Sequence, residues 1–360
     1  MVEKNSKSNV SKLDLIGSIK KKLLKQKDVL ANFSNVADKS FDEKFRSAIL
    51  GFAVGDALGV PVEFLSRNRL QKNPVEEMLG FGSHHVPEGT WSDDTSLTIA
   101  AMDSIVETKK IDFDDIMGKF VQWVDDAKYT ATDELFDIGI STRKSILNFQ
   151  RGVEATKCGS KSFNENGNGS LMRILPFSFY LKANNFDQDE RVKLINLASS
   201  LTHAHEISCL GCMIYTDYVG MLMDGIDKKE AYVQLKNIDY GKYYSKDSIK
   251  VYDRILKDNL DSFDIDDIQS TGYVVSSLEA SLWCTLNSES YEEAVVKAVN
   301  LGDDTDTIGA ITGSLNGIIY GKKQIPEKWL NKLRKKEYLE ELSDDFINVI
   351  RYEMGKNKLK

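Results

Sequence analysis

The sequence predicts an all-α protein on three observations. From Phe45 onward, apolar residues recur at intervals of three and four over long segments. Alternating strand patterns with tight hairpin turns are scarce, and no regular strand–helix alternation supports a parallel sheet. The periodic segments, each expected as a helix, are Phe45–Leu58, Ser96–Glu107, Phe113–Asp125, Gly139–Gln150, Leu194–Leu201, Ile207–Met223, Tyr273–Leu286, Tyr291–Val299, Thr307–Tyr320 and Leu339–Met354. Loops rich in Gly, Asn, Asp, Ser and Thr join them, and the unusual residues of the chain gather there.

The N-terminus differs from the rest. Its first 46 residues carry a net charge of +5, which leaves −13 on the remainder of a chain whose total is −8. Leu15, Ile16, Ile19, Leu23 and Leu30 fall near helical spacing among Lys20, Lys21, Lys22, Lys25 and Lys27, the pattern of a basic amphipathic helix. Residues 1–44 are therefore read as a helical extension, either solvated, acting as a partner-binding arm or lying on an anionic surface, and residues 45–356 as one multi-helix domain.

Net acidity in a 360-residue chain argues against a nucleic-acid partner. There is no apolar run of about 18 residues and no apolar signal core behind the polar, lysine-rich start, so no membrane span is expected and the protein is read as cytoplasmic. The four cysteines, Cys158, Cys209, Cys212 and Cys284, are too scattered for a disulfide framework. Cys209 and Cys212 form a Cys-x-x-Cys, but it has no second pair for zinc and lies in a predicted helix interior, which reads as buried thiols.

Chemistry concentrates in the loops. Gly89-Thr90-Trp91-Ser92-Asp93-Asp94-Thr95-Ser96 runs straight into a predicted helix. One Ser, Thr or Asp satisfies the free N–H groups of a helix start and complements its dipole. A second adjacent carboxylate adds repulsion unless a cation sits between the two, a service a hard divalent ion would provide. A plain capped helix start is the other reading of this segment alone. The device recurs at Gly302-Asp303-Asp304-Thr305-Asp306-Thr307, again before an apolar helix. If both starts face one cleft, their oxygens can hold two metal ions, and a donor set without His or Cys selects Mg²⁺ or Mn²⁺.

Asn166-Gly167-Asn168-Gly169-Ser170-Leu171-Met172-Arg173 is a Gly-rich turn whose backbone N–H groups can cradle phosphate oxygens, with Arg173 as counter-charge; an ordinary structural turn is the alternative. Gly51, Gly55 and Gly59 lie one helical turn apart, where a second helix can approach closely. Glu63 follows a proline in a loop and is free to face a site.

Taken in order, these segments resemble the ADP-ribosylglycohydrolase family over roughly residues 45–322. The motifs are Gly55–Phe64, Trp91–Thr95, Asp137-Ile138-Gly139, Gly167–Arg173 and Gly302–Thr307 with its continuation Gly309–Gly317; Thr202-His203-Ala204-His205 also looks like a family segment. The resemblance implies an all-α fold with two Mg²⁺ or Mn²⁺ ions held by Ser92, Asp93, Asp94, Asp304, Asp306 and Thr307. Ser92 stands where relatives often have Thr. The same resemblance implies that Asn168, Gly169, Ser170, Met172 and Arg173 hold the diphosphate of ADP-ribose, with His203 near the nucleotide end. Asp137 and Glu63 are the candidate acid/base carboxylates, and an ordinary helix cap is the competing reading of Asp137. The Asp-Ile-Gly match favours ADP-ribosylarginine on an acceptor protein as substrate.

Three other functions fit parts of this pattern. The first is an immunity protein whose basic arm plugs the NAD cleft of an ADP-ribosyltransferase toxin, with or without hydrolysis. The second is a silent ADP-ribose binder, and the third a different two-metal hydrolase such as a phosphoesterase.

Overall fold

The structure, a computed structural model, describes residues 40–357. Among them are sixteen α-helices, short 3-10 turns and no β-strand. The first half holds α1 (40–59), α2 (Arg67–Lys72), α3 (Asp93–Thr108), α4 (Phe113–Asp126), α5 (Ile140–Gln150), α6 (Leu175–Asn184), α7 (Gln188–Ser200) and α8 (Glu206–Met223). The second holds α9 (Lys228–Leu235), α10 (Lys246–Lys250), α11 (Asp253–Leu256), α12 (Val274–Leu286), α13 (Tyr291–Val299), α14 (Thr305–Tyr320), α15 (Glu327–Leu330) and α16 (Lys336–Asn357). The basic extension lies outside the described residues.

Every periodic segment of the sequence is a helix here, and the differences have local causes. The helix predicted from Leu194 starts at Gln188, because Asp187 and Glu190 form a reciprocal capping box ahead of the apolar pattern. α6 was not predicted. It is only ten residues long with Pro176 in its first turn, and eight of the ten are buried, so no polar face sets off a helical stripe. The Cys209–Cys212 pair lies in α8, and all four cysteines are buried free thiols. Burial pushes Cys209 up to about 12, out of the reactive range.

α14 is the central element. It is buried from Thr305 to Ile318 and packs against α12 and α13. Its other side meets α1 backbone to backbone: a Cβ on Gly55 would fall 2.1 Å from the Gly309 carbonyl oxygen, and one on Gly309 would fall 2.5 Å from the Gly55 oxygen. The glycine spacing thus lets two helices approach closer than any side chain allows, and Gly59 carries the contact to the Cα of Asp306, 2.4 Å from where a Cβ would sit. The segment Ser40–Val62 is long and apolar enough to cross a membrane, yet 94% of its apolar window is buried inside the protein, as befits a core helix.

Replacing Gly55 with alanine forces this contact open. Urea unfolding of Gly55→Ala should show a loss of about 1–3 kcal/mol; an unchanged midpoint would mean that the two helices tolerate separation.

Candidate active site

The two acidic helix starts converge. Ser92 is the N-cap of α3 and Asp304 that of α14, and Thr307 Oγ1 donates across the gap to Asp94 Oδ2 at 3.3 Å. Asp56 of α1 holds the first of these starts in place. Its Oδ1 accepts from the Ser92 N–H at 2.9 Å, and its Oδ2 accepts from the Thr95 N–H at 3.0 Å and the Thr95 hydroxyl at 2.6 Å. With Asp56 satisfying those donors, Asp93 and Asp94 are released from capping work.

The loops are clamped to the same point. The Phe64 N–H donates to Asp303 O at 2.7 Å and the Asp303 N–H to Leu65 O at 2.8 Å, which joins the Glu63 loop to the acidic loop. Asn168 Nδ2 donates to Asp304 Oδ2 and to Ser277 Oγ, both at 2.8 Å, which joins the Gly-rich turn to α12 and α14. Phe64 (φ 65°), Asp303 (φ 60°) and Asp137 (φ 48°) all adopt left-handed backbone conformations, which are costly for non-glycine residues and tend to gather at working sites. Asp137 is not a helix cap. The N-cap of α5 is Gly139, which has no side-chain cap, and Asp137 turns instead toward Asp93, which bonds to it.

Together these elements wall a cavity of about 440 Å³. Glu63, Asp93, Asp94, Asp137, Asp304, Asp306 and Thr307 line one part of it, and Gly167, Asn168, Gly169, Met172 and His203 another. Three residues named from the sequence are not among its lining. Ser92 lies just behind, with its Oγ 3.1 Å from Asp94 Oδ2. Ser170 is turned inward to Ser199 and Cys212. Arg173, expected as a counter-charge for phosphate, is wholly buried: its Nη2 donates to Ala198 O and Thr202 Oγ1, and the guanidinium lies over the Phe120 ring. The 3-10 turn Leu171–Arg173 directs alternate side chains away from the cavity, and a glycine-rich spacing alone does not reveal that rotation.

Sequence reasoning assigned no role to two residues. Asp56 was part of a quoted motif, but its partner lies 36 residues away and left no local signal. His84 was not noticed at all. Its Nε2 lies 2.5 Å from Glu63 Oε2, and its ring packs between Phe64 and Phe136 at centroid distances of 5.8 and 5.2 Å. Burial pushes Glu63 up to about 7, while the hydrogen bond to Glu63 raises His84.

The remaining carboxylates are strained by one another. Burial first, then the repulsion of neighbouring carboxylates, raises Asp93, Asp94 and Asp306 well above the usual carboxylate range; burial also raises Asp137 and Asp304. Asp94 Oδ1 is buried with no hydrogen-bond partner. Glu63, Asp304 and Asp306 present oxygens that all lie within 4.8 Å of one another. An orphaned oxygen among converging carboxylates and a threonine hydroxyl, with no thiolate, is the donor set of a hard cation, so the residues fit a divalent metal.

A family model described as ADP-ribosylglycohydrolase matches residues 37–355. The chain belongs to the ADP-ribosylglycohydrolase family. Relatives include the protein named ADP-ribosylarginine hydrolase Tri1 from Serratia proteamaculans, 29% identical over 85% of this chain and 79% of that one. The ADP-ribosyl-[dinitrogen reductase] glycohydrolase of Rhodospirillum rubrum is 28% identical over 82% of this chain and 92% of its own. A solved structure described as an ADP-ribosylglycohydrolase-related protein complex superposes with a TM-score of 0.72 at 27% identity, covering 86% of this chain and 99% of that one. Membership of the ADP-ribosylglycohydrolases brings the hydrolase class with it and agrees with the all-α architecture.

The raised carboxylates set a sign for the pH dependence of the metal-free protein. Groups such as Asp56 (about 6) and Glu63 (about 7) bind protons more tightly folded than unfolded, so stability falls as pH rises through those values and returns below them. In EDTA, the melting temperature should climb from about pH 8 to about pH 6, and saturating Mg²⁺ should flatten that slope because a cation among these carboxylates lowers their affinity for protons. A melting temperature that rises with pH in EDTA would contradict this.

Proposed function

We propose that this glycohydrolase removes ADP-ribose from modified arginine side chains of an acceptor protein, using two Mg²⁺ or Mn²⁺ ions. The observation that carries the reading is the convergence of the α3 and α14 starts on one cavity that also holds Asp137 and the Gly167–Met172 turn. The arginine preference is supported by the Asp137-Ile138-Gly139 motif and by relatives named ADP-ribosylarginine hydrolase at 28–29% identity.

The bond to be cut joins the anomeric carbon of a ribose to a guanidinium nitrogen. Breaking it leaves oxocarbenium character on the sugar, and a carboxylate activates the attacking water or protonates the leaving nitrogen. Asp93, Asp94, Asp304, Asp306 and Thr307 would hold the ions, with Ser92 behind Asp94; when bound, the ions supply charge that orients the ribose hydroxyls and lowers the pKa of a water. Asp137 is the proposed acid/base. Its burial raises it toward neutrality, and its left-handed backbone aims it into the cavity beside Asp93. Glu63, hydrogen-bonded to His84, is the competing candidate. The Gly167–Met172 turn, with Asn168 fixed on Asp304, is the proposed diphosphate cradle.

The decisive assay offers ADP-ribosylarginine and ADP-ribosylserine substrates with Mg²⁺, Mn²⁺ or EDTA. Release from the arginine substrate with metal and none in EDTA is expected; release from neither under any condition defeats the hydrolase reading. Asp137→Ala should lower turnover by at least about 100-fold while ADP-ribose still binds, and full turnover in that variant would move the acid/base role to Glu63.

A further inference from the structure

Arg173 and His203 meet through one hydroxyl. Arg173 Nη2 lies 2.8 Å from Thr202 Oγ1, and His203 Nδ1 lies 2.9 Å from the same oxygen. Among the described residues Arg173 has no carboxylate partner, and its Nε and Nη1 are buried without acceptors, a cost that a merely space-filling side chain would not carry. His203 is 3% exposed and reaches the cavity only along its ring edge. A Cβ on Gly169 would lie 2.8 Å from His203 Cε1, and one on Gly167 would lie 3.5 Å from Nε2. The two glycines of the turn leave that edge uncovered.

The direction of these hydrogen bonds is not free. A guanidinium only donates, so Thr202 Oγ1 accepts from Arg173. The hydroxyl has one hydrogen left to place, and His203 Nδ1 is its remaining partner. If Nδ1 carried a hydrogen, Oγ1 would accept twice and the hydroxyl hydrogen would be buried with no acceptor. If Thr202 donates to Nδ1, both contacts are satisfied, and the single hydrogen of the neutral ring must sit on Nε2. The ring stays neutral because burial and the nearby Arg173 charge draw His203 down to about 3.

We infer that Arg173 and Thr202 are positioning residues that lock His203 as its Nε2–H tautomer, so that it presents an uncharged donor to an acceptor oxygen of ADP-ribose in the cavity. The opposite tautomer would turn a lone pair toward those oxygens. Naming the ligand rests on the function proposed above; the tautomer follows from hydrogen-bond direction alone.

Long-range ¹H–¹⁵N NMR of the full-length protein reads the tautomer directly, with His203→Gln identifying the signal among four histidines. A neutral Nε2–H ring is expected in the wild type and in Thr202→Ser, which keeps the hydroxyl. In Thr202→Val, which keeps the shape without it, the single-tautomer pattern should be lost. Calorimetric affinity for ADP-ribose should fall about ten-fold in Thr202→Val and be largely restored in Thr202→Ser. An Nδ1–H or doubly protonated ring in the wild type overturns the inference, and that spectrum decides even if the valine variant does not fold. A folded Thr202→Val with an unaltered ring and unaltered affinity overturns it too. A wild-type Nε2–H ring with no affinity for ADP-ribose overturns the functional reading and leaves the tautomer lock standing.

Discussion

Negative charge held out of water is the constraint on which the rest of this structure depends. Glu63, Asp93, Asp94, Asp137, Asp304 and Asp306 line one cavity, and carboxylates at such distances in a medium of low polarizability repel strongly. Left to themselves they would separate or stay protonated. They are held together by contacts that bear no charge: the backbone approach of α1 to α14 at Gly55 and Gly309, the seating of Asp306 against Gly59, and the paired main-chain bonds between Phe64, Leu65 and Asp303. The fold acts as a clamp, holding together repulsion that a divalent cation would relieve.

The cavity has two chemically different parts. One is the carboxylate cluster. The other, formed by the Gly167–Met172 turn and His203, presents backbone groups and neutral side chains, with the guanidinium of Arg173 withdrawn behind Thr202. That division suits a ligand with hydroxyl-bearing sugar at one end and acceptor oxygens at the other. It also keeps a permanent positive charge away from the acidic cluster, where it would compete with metal. The Glu63–His84 pair links the acidic part to an imidazole, and Glu63 also lies within reach of Asp304 and Asp306.

Much of this was legible in the sequence because the fold is built from long amphipathic helices whose period survives in the residue order. The glycine ladder of α1 announced a close helix partner, and the repeated acidic helix start pointed to a shared cleft, where the two starts do converge. What stayed hidden depended on rotation and distance. Arg173 follows the Gly-rich turn so closely that it looked like part of the cradle, yet the 3-10 turn carries it to the opposite side. The sequence leaves a helix cap as the competing reading of Asp137 until Gly139 is seen to fill that position. Asp56 and His84 act across gaps of 36 and 21 residues, which no local pattern encodes. α6 was missed because it is short, carries Pro176 in its first turn and has little amphipathic contrast.

The central claim is that the convergent helix starts hold cations, and anomalous X-ray diffraction from crystals grown with Mn²⁺ tests it most directly. The account predicts two anomalous peaks, each coordinated by oxygens drawn from Asp93, Asp94, Asp304, Asp306 and Thr307. Crystals of active enzyme with no manganese among those oxygens, or with manganese held elsewhere, would contradict it.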